Sequence, residues 1–180
     1  MKRVLVIGSS GAGKSTFARR LGRAIEIPVV HLDQLYWNPN WVGTTNETEW
    51  QAKVEWALQG DAWIIDGNYS GTLSLRLQKA DTVIFLDMPR LICVWRIIKR
   101  TAFYRRNTRP DMGEGCDEKF DWKFLEFILL VWNYPVRSKP KVEKILAQNQ
   151  NSKTIVRLKS KMEVENFMSQ YEQKSEMANR

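Results

Sequence analysis

Short apolar runs alternate along the chain with longer stretches in which apolar positions recur every three or four residues. Lys2 to Ile7, Pro28 to Leu32, Trp63 to Asp66, Thr82 to Asp87 and Thr154 to Leu158 are short, continuously apolar and rich in β-branched residues, which predicts five strands buried on both faces. Helical spacing predicts helices over Lys14 to Ala24, where Phe17, Leu21 and Ala24 share a stripe. It predicts others over Glu47 to Leu58, Thr72 to Lys79, Leu91 to Tyr104, Asp121 to Trp132, Lys139 to Gln148 and Glu163 to Tyr171. Strands alternating with helices imply an α/β fold with a parallel sheet covered on both faces. Two stretches fit neither pattern: Gln34 to Thr45, rich in Trp, Asn and Pro, and Asn107 to Phe120, rich in Gly, Asp and Arg. Connections of that length in compact domains are often functional.

Composition narrows the picture. With 180 residues, 43% hydrophobic and 27% charged, the chain reads as one domain able to bury a core without disulfides or structural metals. Only the last ten residues read as loose. The longest apolar run, Phe127 to Trp132, is far short of the roughly 18 residues that span a bilayer. The apolar start of the chain breaks at Gly8 and reads as a first strand, not a signal peptide. Cys93 and Cys116 with the single His31 match no standard zinc spacing, and a reduced cytoplasmic setting is expected.

The net charge of +8 changes the picture only locally. Arg90, Arg96, Lys99, Arg100, Arg105, Arg106 and Arg109 fall within one stretch that holds no acid, leaving +1 for the rest of the chain. A basic cluster of this kind can meet the phosphates of a small ligand or of a nucleic acid.

The most informative segment is Gly8-Ser9-Ser10-Gly11-Ala12-Gly13-Lys14-Ser15-Thr16. It satisfies GxxxxGK[ST] directly after a predicted strand and at the start of a predicted helix. The glycines let backbone N–H groups turn inward around phosphate oxygens, and the following helix aims its positive end at the anion. In such loops the lysine, here Lys14, bridges the terminal phosphates and the hydroxyl, here Ser15, ligates Mg²⁺. A nucleoside triphosphate with Mg²⁺ is the expected ligand, with ATP the leading expectation; the NKxD element of GTP switches is not present, and the choice between ATP and GTP stays open.

The chain resembles the adenylate-kinase-related proteins labelled DNA topology modulation proteins, relatives of nucleoside and nucleotide kinases. The resemblance rests on the phosphate loop, on His31-Leu32-Asp33 with Leu35-Tyr36-Trp37, and on Trp63-Ile64-Ile65-Asp66-Gly67-Asn68-Tyr69. The arginine-rich segment and Trp132-Asn133-Tyr134-Pro135 complete it. It implies a P-loop NTPase architecture of three α/β/α layers with a five-stranded parallel sheet in the order 2-3-1-4-5. It also implies an acceptor-binding region at about 34–60 and an arginine-bearing lid at about 105–120, all within one domain over 1–180.

Asp33 and Asp66 are read as ending the second and third strands, whose carboxyl ends line the ligand crevice of an open parallel sheet. A hydroxyl acceptor is helped by a carboxylate that takes its proton, and Asp33 is the candidate for that role. Asp66 resembles the position that supports Mg²⁺ through water or positions the acceptor in related kinases. Asp87 is read as a cap of the following helix. Arg96 and Arg100 share one helix face, with Lys99 close by, and by resemblance Arg96, Arg100 and Arg109 are lid and hinge arginines that stabilise the transferring group, with Arg137 a further candidate. Arg105 and Arg106 read as a solvated face. Trp50 and Trp56 read as core, Tyr36, Trp37 and Trp41 as loop residues within reach of a ligand, and His31 as a hydrogen-bonded core residue. These readings lead to an ATP- and Mg²⁺-dependent kinase acting on a nucleoside, nucleotide or similar small molecule. Two alternatives stay open at this point: an ATP-responsive nucleic-acid-binding regulator, and a nucleotide-responsive interaction module.

Overall fold

The computed structural model describes residues 1–105 and 107–178, with side chains as far as Gln173. Arg106, expected on a solvated face, lies outside the described residues, as do 179–180.

Strand β1 (Arg3–Gly8) supplies the centre of the sheet and shows why the fold has three layers. Successive side chains of a strand point to opposite faces. Leu5 and Ile7 accordingly enter one apolar cluster with Trp50, Val54, Leu73, Leu77, Val142 and Leu146. Val4 and Val6 enter the other, with Phe17, Ala18, Leu21, Cys93, Ile97, Val131 and Met168. The first cluster is closed by α3 (Glu47–Ala57), α4 (Leu73–Lys79) and α8 (Lys139–Asn149). The second is closed by α1 (Lys14–Ile25), α5 (Arg90–Phe103), α6 (Trp122–Trp132) and α9 (Lys161–Ala178).

The other sheet strands are β2 (Val29–His31), β5 (Trp63–Asp66), β6 (Thr82–Leu86) and β7 (Thr154–Leu158). The order is β2-β5-β1-β6-β7, all parallel; counted along the chain, the five sheet strands run 2-3-1-4-5. The chain therefore starts at the central β1, steps out to the edge at β2 and returns through β5 to β6 and β7, so the connections leaving β1 and β5 run in opposite directions. Gly8 pairs with Leu86 and His31 with Asp66, so the carboxyl ends of β1, β2 and β5 open on the same edge, where α/β sheets hold ligands.

Several expectations are corrected. The second strand ends at His31, and Leu32 already begins a short helix, α2 (Leu32–Tyr36). The stretch expected to be an irregular connection carries a small hairpin, β3 (Trp37–Asn38) with β4 (Val42–Gly43), in register Trp37 to Gly43. Its turn puts Asn40 at φ 62° and Trp41 at φ 60°, a left-handed conformation that a bulky residue such as Trp rarely adopts. Trp56 is 66% exposed and lies outside the core, whereas Trp50 is buried. Helix α9 runs on to Ala178, so 171–178 are not loose coil. A four-residue turn of helix, α7 (Tyr134–Arg137), joins α6 to α8.

Candidate functional site

The phosphate loop occupies the turn from β1 into α1. Gly8, Gly11 and Gly13 all have positive φ, and a Cβ at Gly11 would overlap the carbonyl of Cys93, so the loop closes only with glycine there. Helix α1 starts at Lys14 with no side chain capping it. Its first N–H groups are thereby left for an anion. Ser10 to Thr16 line a cleft of about 1330 Å³, while Gly8 and Ser9 are buried behind it. Ser9 Oγ is buried without a partner.

Lys14 folds back so that Nζ donates to the Ser9 carbonyl at 3.1 Å. Burial lowers its pKa, and Asp33 and Asp66 act in the opposite direction, favouring the charged form. Arg96, from α5, donates from Nη1 to the carbonyl of Ala12 at 2.8 Å, bracing the loop from its outer side. Arg100, one turn later, lines the same cleft. Burial lowers its pKa and the neighbouring Arg109 adds to that.

Asp33 stands in the first turn of α2 and lines the cleft. It accepts a 2.7 Å hydrogen bond from the Tyr69 hydroxyl, whose pKa is raised by burial and by the Asp33 charge, so the phenol stays a donor. Tyr69 is placed by the turn after β5, and that turn is fixed from beneath. Arg76, fully buried, donates to the carbonyls of Gly67, Tyr69 and Thr72. Burial pulls its pKa down to about 10, which leaves it charged at neutral pH.

Asp66 is placed differently from the expectation. It is buried, absent from the cleft lining, and paired through Oδ1 with His31 Nδ1 at 2.6 Å. Its charge reaches Lys14 through the interior. His31 is the hydrogen-bonded core residue expected. Asp87 does not cap α5; it pairs with Lys139 at 2.8 Å and lies 3.7 Å from Arg157. Arg137 is exposed and outside the cleft lining.

Of the expected lid, 109–112 and 118–119 line the cleft, and the segment contacts α2 and the hairpin. Gln34 donates to the Pro110 carbonyl at 2.8 Å, Trp41 Nε1 to the Asp117 carbonyl at 2.9 Å, and the Cys116 thiol to Asn38 at 3.1 Å. Arg109 is not a free guanidinium as expected. It is buried, with Nη1 3.0 Å from Asp111 and Nε 2.7 Å from Glu118, the second contact lacking hydrogen-bond alignment. Glu118 also accepts from Thr101 at 2.8 Å and lies 3.4 Å from Arg100 Nε. Asp111 is pushed up by burial, but Arg109 and the Ser15 hydroxyl outweigh this and hold its pKa below the usual carboxylate range.

Asp111 and Glu118 are site residues that sequence reasoning missed. The signal available was the Arg-Pro-Asp triplet at 109–111 inside the expected lid. Among the described residues no group of three His, Cys, Asp or Glu side chains stands ready to hold a metal. The donor set present, the Ser15 hydroxyl with Asp33 and Asp111 on the same cleft, fits Mg²⁺ held mainly by phosphate oxygens and water. No helix of the described residues is long and apolar enough to cross a membrane, and both cysteines are buried free thiols.

No family model matches the sequence, and no curated protein matches it. Solved structures do match the fold. A shikimate kinase from Acinetobacter baumannii in complex with shikimate aligns with a TM-score of 0.57 over 100% of this chain and 95% of its own, at 11% identity. A shikimate kinase from Bacteroides thetaiotaomicron gives 0.53 over 97% and 98%, at 15% identity. A gluconokinase from Sinorhizobium meliloti gives 0.51 over 99% and 98%, at 13% identity. The architecture is that of P-loop kinases over essentially the whole chain.

Proposed function

We propose that the chain is a Mg²⁺- and ATP-dependent phosphotransferase acting on the hydroxyl of a small molecule, and a member of the adenylate-kinase-related family that its motifs resemble. The observation that carries this reading is the juxtaposition, on one cleft, of the phosphate loop with Lys14 and of Asp33 held by Tyr69. The uncapped N-terminus of α1, Lys14 and the loop N–H groups hold the triphosphate, and Ser15 holds the metal. Mg²⁺, when bound, neutralises charge on the phosphate oxygens during transfer.

In the reaction Asp33 takes the proton of the acceptor hydroxyl. That oxygen forms a bond to the γ-phosphorus, the bond from phosphorus to the β–γ bridging oxygen breaks, and ADP departs. Arg100 stabilises the charge spread over the transferring group. Arg109 acts more weakly, since Asp111 and Glu118 already match its charge. The lid segment excludes water, which limits ATP hydrolysis.

The basic stretch gives little support to the nucleic-acid alternative. Arg96, Arg100 and Arg109 line the cleft, Arg90 lies over the Trp132 ring, and Lys99 and Arg105 are exposed elsewhere. Among the described residues its cations do not form one stripe. Lys14→Ala is expected to lower ATP-dependent product formation by about 100-fold or more with circular dichroism unchanged. Turnover equal to the native protein removes the assignment.

A further inference from the structure

We propose that the exposed faces of α5 and α6 pack against the same faces of a second copy of this chain, forming a four-helix interface about a two-fold axis. This surface lies outside the cleft, and the inference does not depend on the phosphotransferase reading.

Helix α6 shows why a partner is needed. Lys123 and Glu126 are its only residues that are not apolar. A helix apolar on every side belongs in an interior, yet Val131 alone of its residues is fully buried. Phe124, Phe127 and Ile128 pack against the second core cluster, which leaves Trp122, Leu125, Leu129 and Trp132 turned to solvent. Helix α5 buries Cys93 and Ile97 and exposes Leu91, Trp95 and Ile98. The two helices lie side by side, with Arg90 at the start of α5 set 4.2 Å over the ring of Trp132 at the end of α6. None of these exposed apolar residues lines the cleft.

Their spacing points to helices as the partner. Leu91, Trp95 and Ile98 are separated by four and then three residues, and Trp122, Leu125, Leu129 and Trp132 by three, four and three. This is the a/d repeat of helices whose side chains insert between those of another helix. In the same register Lys99 on α5 and Glu126 on α6 take the flanking e position, where opposite charges set the choice of partner. Both are exposed, and among the described residues neither is in an ion pair. Opposite signs on the two helices let α5 of one copy lie against α6 of the other, each charge then finding its counterpart. An anionic bilayer, by contrast, is matched by basic flanks alone.

The area is that of an interface. Trp95, Trp122 and Trp132 are 64%, 73% and 37% exposed, which at up to about 250 Å² each leaves on the order of 400 Å² of tryptophan in water. With the four aliphatic side chains the face exceeds the roughly 300–600 Å² of the largest patch on a typical monomer. It approaches the roughly 800 Å² that each partner of a stable complex covers.

The test is sedimentation velocity on the full chain at micromolar concentrations, where a mass of twice 21.1 kDa is expected. Leu129→Glu, a charge in the middle of the face, is expected to weaken association by about 30-fold or more with circular dichroism unchanged. Trp95→Glu does the same from α5 and serves if the first variant does not fold. Lys99→Glu is expected to weaken the dimer, and adding Glu126→Lys to restore it. A native protein that stays monomeric overturns the proposal, and one that remains monomeric and sediments with phosphatidylglycerol vesicles makes the face a lipid surface instead. A dimer indifferent to both apolar-to-acid variants is held by another surface, which also overturns it. A charge-exchanged double variant no tighter than Lys99→Glu alone contradicts the packing of α5 on α6 across the axis, and the proposal falls with it.

Discussion

In the proposed reaction Tyr69 acts through a single oxygen. Its hydroxyl orients Asp33 at 2.7 Å, and a hydrogen bond to a charged group contributes about 1.5–3 kcal/mol. Tyr69→Phe keeps the ring against Tyr36 and Trp50 and is expected to lower kcat about 10-fold with little change in thermal midpoint. An unchanged kcat would show that Asp33 needs no such partner. Asp111 gives a pH dependence of definite sign. Its folded-state pKa is depressed, so its contribution to stability is complete above the unfolded value of about 3.9. That contribution is lost as pH falls through the lower folded value. The thermal midpoint of the native protein is expected to fall more steeply below about pH 4 than that of Asp111→Asn; parallel curves would contradict the assigned pairing with Arg109.

At the scale of elements, the expected lid segment and the hairpin are joined by close backbone contacts. Gly113 passes so near the Trp37 carbonyl that a Cβ would overlap it, while Asn40 N–H donates to the Gly115 carbonyl at 3.0 Å. Gly113→Ala is expected to separate the two. The variant should be cleaved faster by protease within 107–120 and should release more inorganic phosphate per phosphorylated acceptor, with the core unaffected. Equal cleavage and equal leakage would show that the segment does not need this contact.

What the sequence revealed follows from the range of the interactions involved. The phosphate loop was legible because glycine conformation, Lys14 and the start of α1 act within nine contiguous residues. The buried strands were legible because burial on both faces leaves an apolar run. The contacts of Asp33 with Tyr69 and of Arg109 with Glu118 join residues whose meeting depends on chain folding, and no local pattern marks them. Asp66 misled for the same reason: a strand-end carboxylate can face the crevice or its neighbour, and its neighbour is His31. Trp56 misled because its near-helical spacing from Trp50 suggests a shared face, yet only Trp50 and Val54 turn inward.

At the scale of the whole molecule, the cleft gathers charge that a nucleotide would neutralise. Lys14 sits desolvated against the loop, a state that Mg²⁺-ATP relieves. At a ligand concentration about 100 times Kd, binding adds about 2.7 kcal/mol to stability, roughly 5–10 °C in a domain of this size. That rise is expected for the native protein and not for Lys14→Ala; an equal rise in both would place the nucleotide elsewhere. The most direct test of phosphoryl transfer follows the label of ATP marked at its γ-phosphate, with Mg²⁺ and a panel of nucleosides, nucleotides and small alcohols, in native protein and in Asp33→Asn. The label is expected on an acceptor hydroxyl with native protein and to be reduced about 100-fold with Asp33→Asn, while both bind ATP equally. Label released only as inorganic phosphate, at the same rate in both, would contradict the assignment.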